Sequence, residues 1–487
     1  MPPLDWTRRD VLGATAGTLG AHLLVTEGVS GVEAAARAED SEPTSLSRAA
    51  ELAKEVGDGK PLTFVDLAAV DNNIEQIVTE IEKRGWALRP SLKSFQSPEF
   101  SAYVLSKLPE PRGMIFHLRS LRQLLPALPE NPDLMLGYAP TVGELETYFT
   151  QSDEDEPPHR FRLMIDSPEL LDICADLAKS GQRELPVEVA LEFDSGLQRG
   201  GIKNESELSE AIDILRENQD SLRLTGAMCY DGHATIDSNP KLRQVIAEDA
   251  QRRYRAFMSQ LREEGGDLFD ESDFVRNGPG SSNYQNWDSD GVVTEVSPGT
   301  AFVFHGYLTD DGHDNEGLEP TLLHGAPVMR LPADGPRTPL VGVEPPWAAL
   351  DDVPTEKLPF GEAPSETDGF EEVLLKGGAW PSNTGDLAEM VHPDGMEDDP
   401  TSGGRGNNKS AVLGPRGEFE LGDYVLLRPQ NAGDGIEYFG ALHAIREGEL
   451  EAIWPTINRW QTPTEQDSSD GRSPGVRPPE NPGRRNE

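Results

Sequence analysis

Cysteine and lysine are scarce in this sequence of 487 residues. Its two cysteines, Cys174 and Cys229, each lie in an apolar run, which favours buried free thiols over a disulfide and argues against a thiolate metal site. Lysine accounts for 11 of the 43 basic residues. Beyond the N-terminus no stretch reaches the roughly 18 apolar residues of a membrane-spanning helix, so the sequence predicts no membrane span.

Charge is strongly unbalanced, with 86 acidic and 43 basic residues and a net charge of −43. A surface this acidic repels nucleic acid and anionic membranes, which excludes both as expected partners. It keeps a protein soluble where salt screens the self-repulsion. A local acidic tail is the alternative, but acidic residues run from Glu39 to Glu487. The composition therefore predicts a protein from a halophile.

The N-terminus carries an export pattern. Arg8 and Arg9 precede a mildly apolar, Gly- and Ala-rich stretch that ends in mostly small residues at Ala34–Ala38. This order is typical of a twin-arginine signal with an A-x-A type cleavage site, and a helical extension with an accidental Arg pair is the alternative. We interpret residues 1–38 as the signal and 39–60 as a linker with a lead-in helix.

From residue 61 to 293, β-branched runs alternate with amphipathic helical segments such as Leu67–Arg84 and Pro168–Ser180. Eight such units predict an α/β fold of the (β/α)8, TIM-like barrel type. A doubly wound sheet is the alternative, but no Gly-rich turn follows the first run. The predicted strands are Thr63–Leu67, Ala87–Lys93, Met114–Leu118, Leu134–Tyr138, Arg162–Asp166, Val187–Asp194, Leu222–Cys229 and Asp273–Gly278.

A mostly β domain is predicted for residues 294–461. It begins with strand-like runs at Thr294–Phe304 and Val328–Leu331, and strand signals return from Ala411 onward. Residues 332–408 are rich in Pro, Gly, Asp and Glu and predict long loops or a partly disordered acidic insertion. The polar, Pro-rich residues 462–487 predict a disordered tail.

A glycine turn follows the last predicted barrel strand. Its residues are Gly278, Pro279, Gly280, Ser281 and Ser282. Glycines let backbone N–H groups approach an anion, and the two serines add hydroxyl donors. A phosphate site after the last strands recurs in this fold, although such a turn by itself is also typical of a simple loop.

Lys93 ends the second predicted strand. Active sites of such barrels lie at these strand ends. A poorly solvated lysine with cationic neighbours such as Arg89 is a Schiff-base former, because both effects lower the pKa of its amine. A surface lysine that extends away from the barrel end is the alternative.

Six segments in this order resemble the D-threonine aldolase and D-serine dehydratase branch of the alanine-racemase-type (fold type III) enzymes, which use pyridoxal 5′-phosphate (PLP). The resemblance covers residues 60–310 and returns at 411–460. The segments read RPSLKSF, DSGLQRGG, YDGH, GPGSS, TEVSPGT and, in the second domain, GDYV with IWP.

The resemblance implies roles for individual residues. Lys93 would bind PLP covalently, and the Gly278–Ser282 turn would hold its phosphate. Tyr230 and His233 would face the cofactor or substrate, with His233 either a general base or an ordinary loop histidine. Arg199 would reach a carboxylate or the cofactor's phenolic oxygen, and a salt bridge to one of the many acids is the alternative. The substrate would be a small amino acid, and the protein a homodimer.

The expected divalent metal site departs from the family pattern. Asn431 stands where the family has a histidine, and Asp434 is the nearest carboxylate. Together they make a poor transition-metal site, so a metal is doubtful. The resemblance predicts a lyase for D-3-hydroxy amino acids, acting by aldol cleavage or loss of water. A catalytically degenerate PLP or amino-acid binding protein and an amino-acid racemase are the alternatives.

Overall fold

The structure is a computed structural model that describes residues 45–151, 156–235, 239–281, 283–304, 317–331, 370–377, 389–398, 409–429, 436 and 440–457. The predicted export signal at 1–38 and the tail at 462–487 lie outside these residues and stay predictions. Among the helices of the described ranges, none is both long and apolar enough to cross a membrane.

Strand β1 (Leu62–Asp66) comes first in the described chain, and the eight strands after it form a nearly closed parallel barrel. These are β2 (Ala87–Leu88), β3 (Arg112–Ile115), β4 (Asp133–Leu136), β5 (Arg160–Ile165), β6 (Val187–Glu192), β7 (Leu222–Met228), β8 (Val275–Asn277) and β9 (Glu295–Val296). Their order is β2-β9-β8-β7-β6-β5-β4-β3, and a parallel bridge between Ser91 and Met114 joins the two ends. The predicted barrel is therefore confirmed.

Amphipathic helices alternate with these strands. Helix Pro168–Ser180 shows why: Leu171, Cys174, Ala175 and Ala178 recur at helical spacing and are all buried. Capping side chains fix the starts, as at Thr141, whose hydroxyl and Glu144 form a capping box. The described α-helices are the lead-in helix Ser45–Val56, which precedes β1, and then Leu67–Lys83, Pro98–Ser106, Leu118–Leu124, Val142–Thr150, Pro168–Ser180, Glu205–Glu217, Pro240–Gly265 and the short Thr300–Val303.

Two strands were assigned to the wrong sheet by the sequence prediction. Strand β1 pairs with two strands of the second domain, β10 (Leu322–Arg330) and β16 (Ala441–Arg446), rather than with the barrel. Strand β9 lies beyond the predicted boundary at residue 294, yet it pairs with β2 and β8 and completes the barrel. A short, buried apolar run looks the same in either sheet, so the pattern identifies a strand but not its partner.

The second domain is a nine-stranded sheet in the order β13-β14-β11-β10-β1-β16-β17, with β15 pairing β10 and β12. Its remaining strands are β11 (Phe370–Lys376), β12 (Glu389–His392), β13 (Glu397–Asp398), β14 (Lys409–Pro415), β15 (Tyr424–Arg428) and β17 (Glu449–Pro455). Three of them fall inside the predicted insertion at 332–408. The acidic composition concealed them because each buries few side chains, such as Val373 and Leu375 in β11.

Aromatic packing and a hydrogen-bonded acid join this sheet to the barrel. Trp454 stacks on Phe100, with ring centroids 5.6 Å apart. Asp71, on the first barrel helix, accepts hydrogen bonds from Tyr103 at 2.7 Å and from Arg446 of β16 at 3.2 Å. The second domain is therefore fixed against the helix that follows the Lys93 turn.

Charged side chains fill the lower interior of the barrel. Arg89 and Glu295 are both fully buried, and two Arg89 nitrogens donate to the Glu295 carboxylate at 2.6 and 3.2 Å. Arg89 also donates to Asp133 at 3.0 Å, and Asp133 accepts from Arg162. Burial disfavours the charged form of Arg89, but the two carboxylates outweigh it and raise the pKa. The pair links β2 to β9, the first and the last barrel strand along the chain.

We expect Glu295→Gln to destabilise the protein by about 3 kcal/mol, because it removes the fully buried carboxylate that pairs with Arg89 and leaves only Asp133, which is partly exposed, to balance that charge. The measurement is the free energy of unfolding in denaturant at fixed salt. The matched control is Glu110→Gln, which alters a carboxylate that is 64% exposed and should change stability by about 0.5 kcal/mol or less. Equal effects of the two substitutions would contradict the assigned role of the buried pair.

His324 supplies a pH prediction. It is fully buried in β10 with Nδ1 2.9 Å from the Thr63 hydroxyl, and burial lowers the pKa of its imidazole to about 4. Because the unfolded chain binds a proton at this imidazole more readily than the folded chain does, the free energy of unfolding depends on pH. The contribution of neutral His324 is fully present above its ordinary pKa of 6.5, and about 3 kcal/mol is lost as pH falls toward 4. Unfolding free energies measured over this range should fall less steeply in His324→Gln than in the wild type. Parallel curves would show that His324 is not the titrating group.

Candidate active site

A cavity of about 110 Å³ opens at the carboxyl ends of the barrel strands. Segments after β2, β3, β4, β6, β7, β8 and β9 contribute to it, as expected for an active site of this fold. Six of the predicted site residues line it together: Lys93, Arg199, Tyr230, Gly278, Gly280 and Ser281. They come from four separate segments, so the tertiary fold assembles them.

Lys93 lies in a single 3₁₀ turn, Leu92–Ser94, directly after β2. Its Nζ atom is 4.1 Å from the centroid of the Phe116 ring. Lys93 is exposed, so the expected poor solvation of its amine is not observed. Arg89 does not line the cavity, and its charge is paired with Glu295 below, so it is not the cationic neighbour that the sequence suggested.

The glycine turn brings backbone close to side chains on two sides. A Cβ at Gly280 would lie 3.2 Å from the Tyr230 ring, and one at Gly278 would lie 2.6 Å from Val293. The Ser281 hydroxyl oxygen accepts hydrogen bonds from the backbone N–H groups of Gly299 and Ala301, at 2.8 and 3.1 Å. Ser281 therefore ties the turn after β8 to the segment after β9. Ser282 lies outside the described residues.

Arg199 is held by a carboxylate and two aromatic rings. Its Nη2 donates to Glu192 at 3.0 Å, and its guanidinium carbon lies 4.7 Å from the Tyr230 centroid and 5.3 Å from the Tyr138 centroid. Glu192 is buried, and this burial raises its pKa although Arg199 opposes the shift. The salt-bridge alternative for Arg199 is thus realised, with the guanidinium kept at the cavity wall.

Asp231 anchors the loop after β8. Its carboxylate is buried and accepts hydrogen bonds from Asn283 at 2.5 Å and from the Trp287 indole at 2.8 Å. Burial raises the pKa of Asp231, and the two donors oppose that shift. The preceding residue, Tyr230, is fixed through its carbonyl, which accepts from the Ser195 hydroxyl at 2.6 Å. The YDGH segment therefore holds two neighbouring loops in place.

His233 does not line the cavity, although it follows Tyr230 by three residues. Its Nε2 atom lies 3.5 Å from the position that a Cβ would take at Gly196. Burial lowers the pKa of its imidazole, although Asp231, Asp194 and Asp249 oppose this shift, and the direction favours the neutral ring expected of a base. Its role as general base stays a prediction, and its position does not favour that role.

Sequence reasoning missed several lining residues. Ser91, Ser94, Asn277, Ser297, Gly299 and Thr300 contribute polar groups, while Met114, Phe116, Gly137 and Met228 complete the wall. The TEVSPGT segment had been recognised, but the assignment of its strand to the second domain removed it from the barrel mouth. A Cβ at Gly299 would lie 2.6 Å from the Ser94 hydroxyl oxygen, which shows how closely it meets the Lys93 turn.

Comparison with known proteins supports the resemblance. Residues 65–305 match the family model of the alanine racemase N-terminal domain. This part of the chain therefore resembles the alanine-racemase-type, fold type III proteins, a family of PLP enzymes. A search of curated proteins finds no match.

Solved structures show the same fold at low sequence identity. D-threonine aldolase from Filomicrobium marinum is 16% identical, with a TM-score of 0.61 over 81% of this chain and 94% of that one. D-threo-3-hydroxyaspartate dehydratase from Delftia sp. HT23 is 17% identical, with a TM-score of 0.61 over 82% and 98%. Alanine racemase from Bacillus anthracis is 15% identical, with a TM-score of 0.58 over 81% and 97%.

The predicted metal residues, Asn431 and Asp434, lie outside the described residues. Within the described ranges, no group of three or more His, Cys, Asp or Glu side chains is placed to hold a metal ion. The metal question and the predicted homodimer both stay predictions.

The Arg199–Glu192 pair gives a prediction on stability. Arg199→Gln leaves the Glu192 carboxylate buried without its charged partner, which should cost about 1–3 kcal/mol at pH 8. Because the pKa of Glu192 in the folded protein is raised, its contribution to the free energy of unfolding falls as pH rises above 4.5. Arg199 opposes this pKa shift, so the free energy of unfolding should fall more steeply with pH in Arg199→Gln. Unfolding free energies at pH 5 and pH 8 measure the effect.

Two further variants make the test specific. Adding Glu192→Gln to Arg199→Gln should restore most of the loss at pH 8, because no buried charge then remains. Arg216→Gln, which breaks an exposed pair with Asp213, should change stability little at either pH. A loss in Arg199→Gln that is independent of pH would show that Glu192 is not the group affected.

Proposed function

We propose that this protein is a PLP-dependent lyase that acts on D-3-hydroxy amino acids. One observation carries the proposal: in a chain with a net charge of −43, the described wall of the cavity contains Lys93 and Arg199 but no acidic residue. Such a wall suits an anionic cofactor and an amino-acid carboxylate. The resemblance of the lining segments to the aldolase and dehydratase branch supports this reaction class.

The residues present fit PLP. Gly278, Gly280 and Gly299 keep side chains away from one side of the cavity, so that backbone and the hydroxyls of Ser281 and Thr300 can meet a phosphate. Asn277 lies on the same wall, with its Oδ1 buried and lacking a hydrogen-bond partner within the described residues. A ligand donor would satisfy it. Lys93 is the amine available for covalent attachment.

Bound PLP would supply an electron sink for charge that develops at the substrate Cα. The remaining roles fall to this chain. Arg199, held by Glu192 and packed on Tyr230, would bind an anionic or phenolic oxygen by bidentate donation. Ser281 would hold the two phosphate-facing segments together. Cleavage between Cα and Cβ would yield glycine and an aldehyde, and loss of water is the second reaction of this class.

A racemase is a second candidate, since alanine racemases align with this chain at TM-scores similar to those of the aldolase. Exchange of Cα–H for solvent deuterium in both enantiomers, without a carbonyl product, would favour the racemase. A carbonyl product formed from the D-isomer alone would favour the lyase. A protein that only binds PLP would load the cofactor but would convert neither enantiomer of the amino acid.

The test is an absorbance spectrum of the protein purified in molar salt with PLP and repeated after borohydride reduction. We expect a visible band from lysine-bound cofactor, and peptide mapping should locate the reduced adduct at Lys93. Lys93→Ala should lack the band. Lys179→Ala, which changes a lysine on an outer helix, should retain it.

An adduct on another lysine, or a band retained in Lys93→Ala, would show that Lys93 is not the attachment site. No band in correctly folded protein would overturn the cofactor proposal and leave the barrel fold unchanged. Either result is read beside the circular dichroism spectrum, so that an unfolded variant is not mistaken for an inactive one.

A further inference from the structure

Lys93 and Phe116 also line a second, smaller cavity of about 30 Å³. Most of its wall is apolar: Leu92, Ile115, Phe116, Leu124 and Ile457. The polar part of the wall consists of Lys93, Gln96, His117 and Ser120. No acidic residue of the described chain lines this cavity. Apart from Lys93, the sequence analysis assigned no role to these residues.

We propose that this smaller cavity is the subsite for the substituent at the substrate β-carbon, and that it takes a small alkyl group in preference to a second carboxylate. The inference rests on the proposed function, because it requires the substrate amine to be held beside Lys93. It adds to that function a substrate class, D-3-hydroxy amino acids with a compact aliphatic β-substituent.

Position is the first argument. A β-carbon lies two bonds from the amine nitrogen, at about 2.5 Å, so a group on it must lie close to where that nitrogen is held. Lys93 is part of the wall of both cavities. A substituent beyond the β-carbon can therefore reach the smaller cavity while the rest of the amino acid stays in the larger one.

Polarity is the second argument. An alkyl group in contact with Leu92, Ile115, Leu124 and Ile457 gains from leaving water, whereas a carboxylate there would lose its hydration. Lys93, the one lysine of the described wall, would not offset this loss, because the bound cofactor would occupy its amine. The imidazole of His117 can form hydrogen bonds in either protonation state, which suits the hydroxyl on the same β-carbon. The wall thus matches both groups that a 3-hydroxy amino acid carries at this carbon.

Size is the third argument. Since about 10–15 Å³ of such space holds one water, this cavity of about 30 Å³ holds roughly two to three water-sized groups. That is room for a methyl to isopropyl group but not for a phenyl ring. The larger cavity, about 110 Å³, contains the predicted cofactor residues.

Binding of substrate analogues without the hydroxyl tests the subsite apart from turnover. Absorbance titration of the PLP-loaded protein would give dissociation constants for D-leucine and D-aspartate, which are similar in size and differ in charge. We expect D-aspartate to bind at least about tenfold more weakly. Equal or tighter binding of D-aspartate would overturn the proposal while leaving the cofactor site intact.

Two leucines provide a matched pair of variants. Leu124→Ala enlarges the smaller cavity, whereas Leu128→Ala removes the same atoms from a nearby buried leucine that does not line it. Leu124→Ala should improve D-phenylalanine binding relative to D-valine by about tenfold, and Leu128→Ala should leave this ratio unchanged. The same shift in both variants, or in neither, would overturn the subsite.

The outcomes separate this inference from the lyase proposal. The expected preferences without any carbonyl product from D-threonine would support the subsite and refute the lyase. If PLP does not load, xenon serves as a cofactor-free probe, because apolar cavities bind it. Xenon NMR should then show binding that Leu124→Phe abolishes, and no such binding in the wild type would refute the apolar cavity.

Discussion

The buried pair of Arg89 and Glu295 is the interaction on which the rest of the site depends. It links β2 to β9, the strands whose carboxyl ends carry the Lys93 turn and the Gly299 segment. Asn277 at the end of β8 donates to the same glutamate at 2.9 Å. One carboxylate therefore fixes three strands that supply the cavity. Buried ion pairs of this kind often contribute less to stability than to the choice of a unique arrangement, and we infer that role here.

The cavity contrasts with the surface around it. The chain is strongly acidic, yet the carboxylates near the cavity act from behind its wall: Glu192 holds Arg199, and Asp231 holds Asn283 and Trp287. Both are buried and both have raised pKa values because burial disfavours their charge. Arg199 consequently faces the cavity while Glu192 orients it from behind, and Asp231 fixes the neighbouring loop. An anionic ligand meets complementary charge in a protein that would otherwise repel it.

The sequence made the barrel, the Lys93 turn and the glycine turn predictable, because each has a local signal. Alternating apolar runs and amphipathic helices specify repeated βα units, and a strand followed by Arg-Pro-Ser-Leu-Lys or Gly-Pro-Gly-Ser places those residues at the barrel mouth. The pairing of β1 and β9 was not predictable, because a short buried run does not identify its neighbour. The strands within 332–408 were hidden by acidic, Pro- and Gly-rich composition.

The sequence alone determined the fold class and the family resemblance, and it singled out candidate site residues, six of which line the cavity, because these features follow from local periodicity and short motifs. The tertiary structure decided which side chains face that cavity. In the folded chain, His233 lies outside the cavity wall, and Arg89 pairs with Glu295. His117 and Ile457, which are distant in sequence, both line the small cavity beside Lys93. Side-chain direction at a strand end depends on the packing of neighbouring loops, which no local pattern encodes.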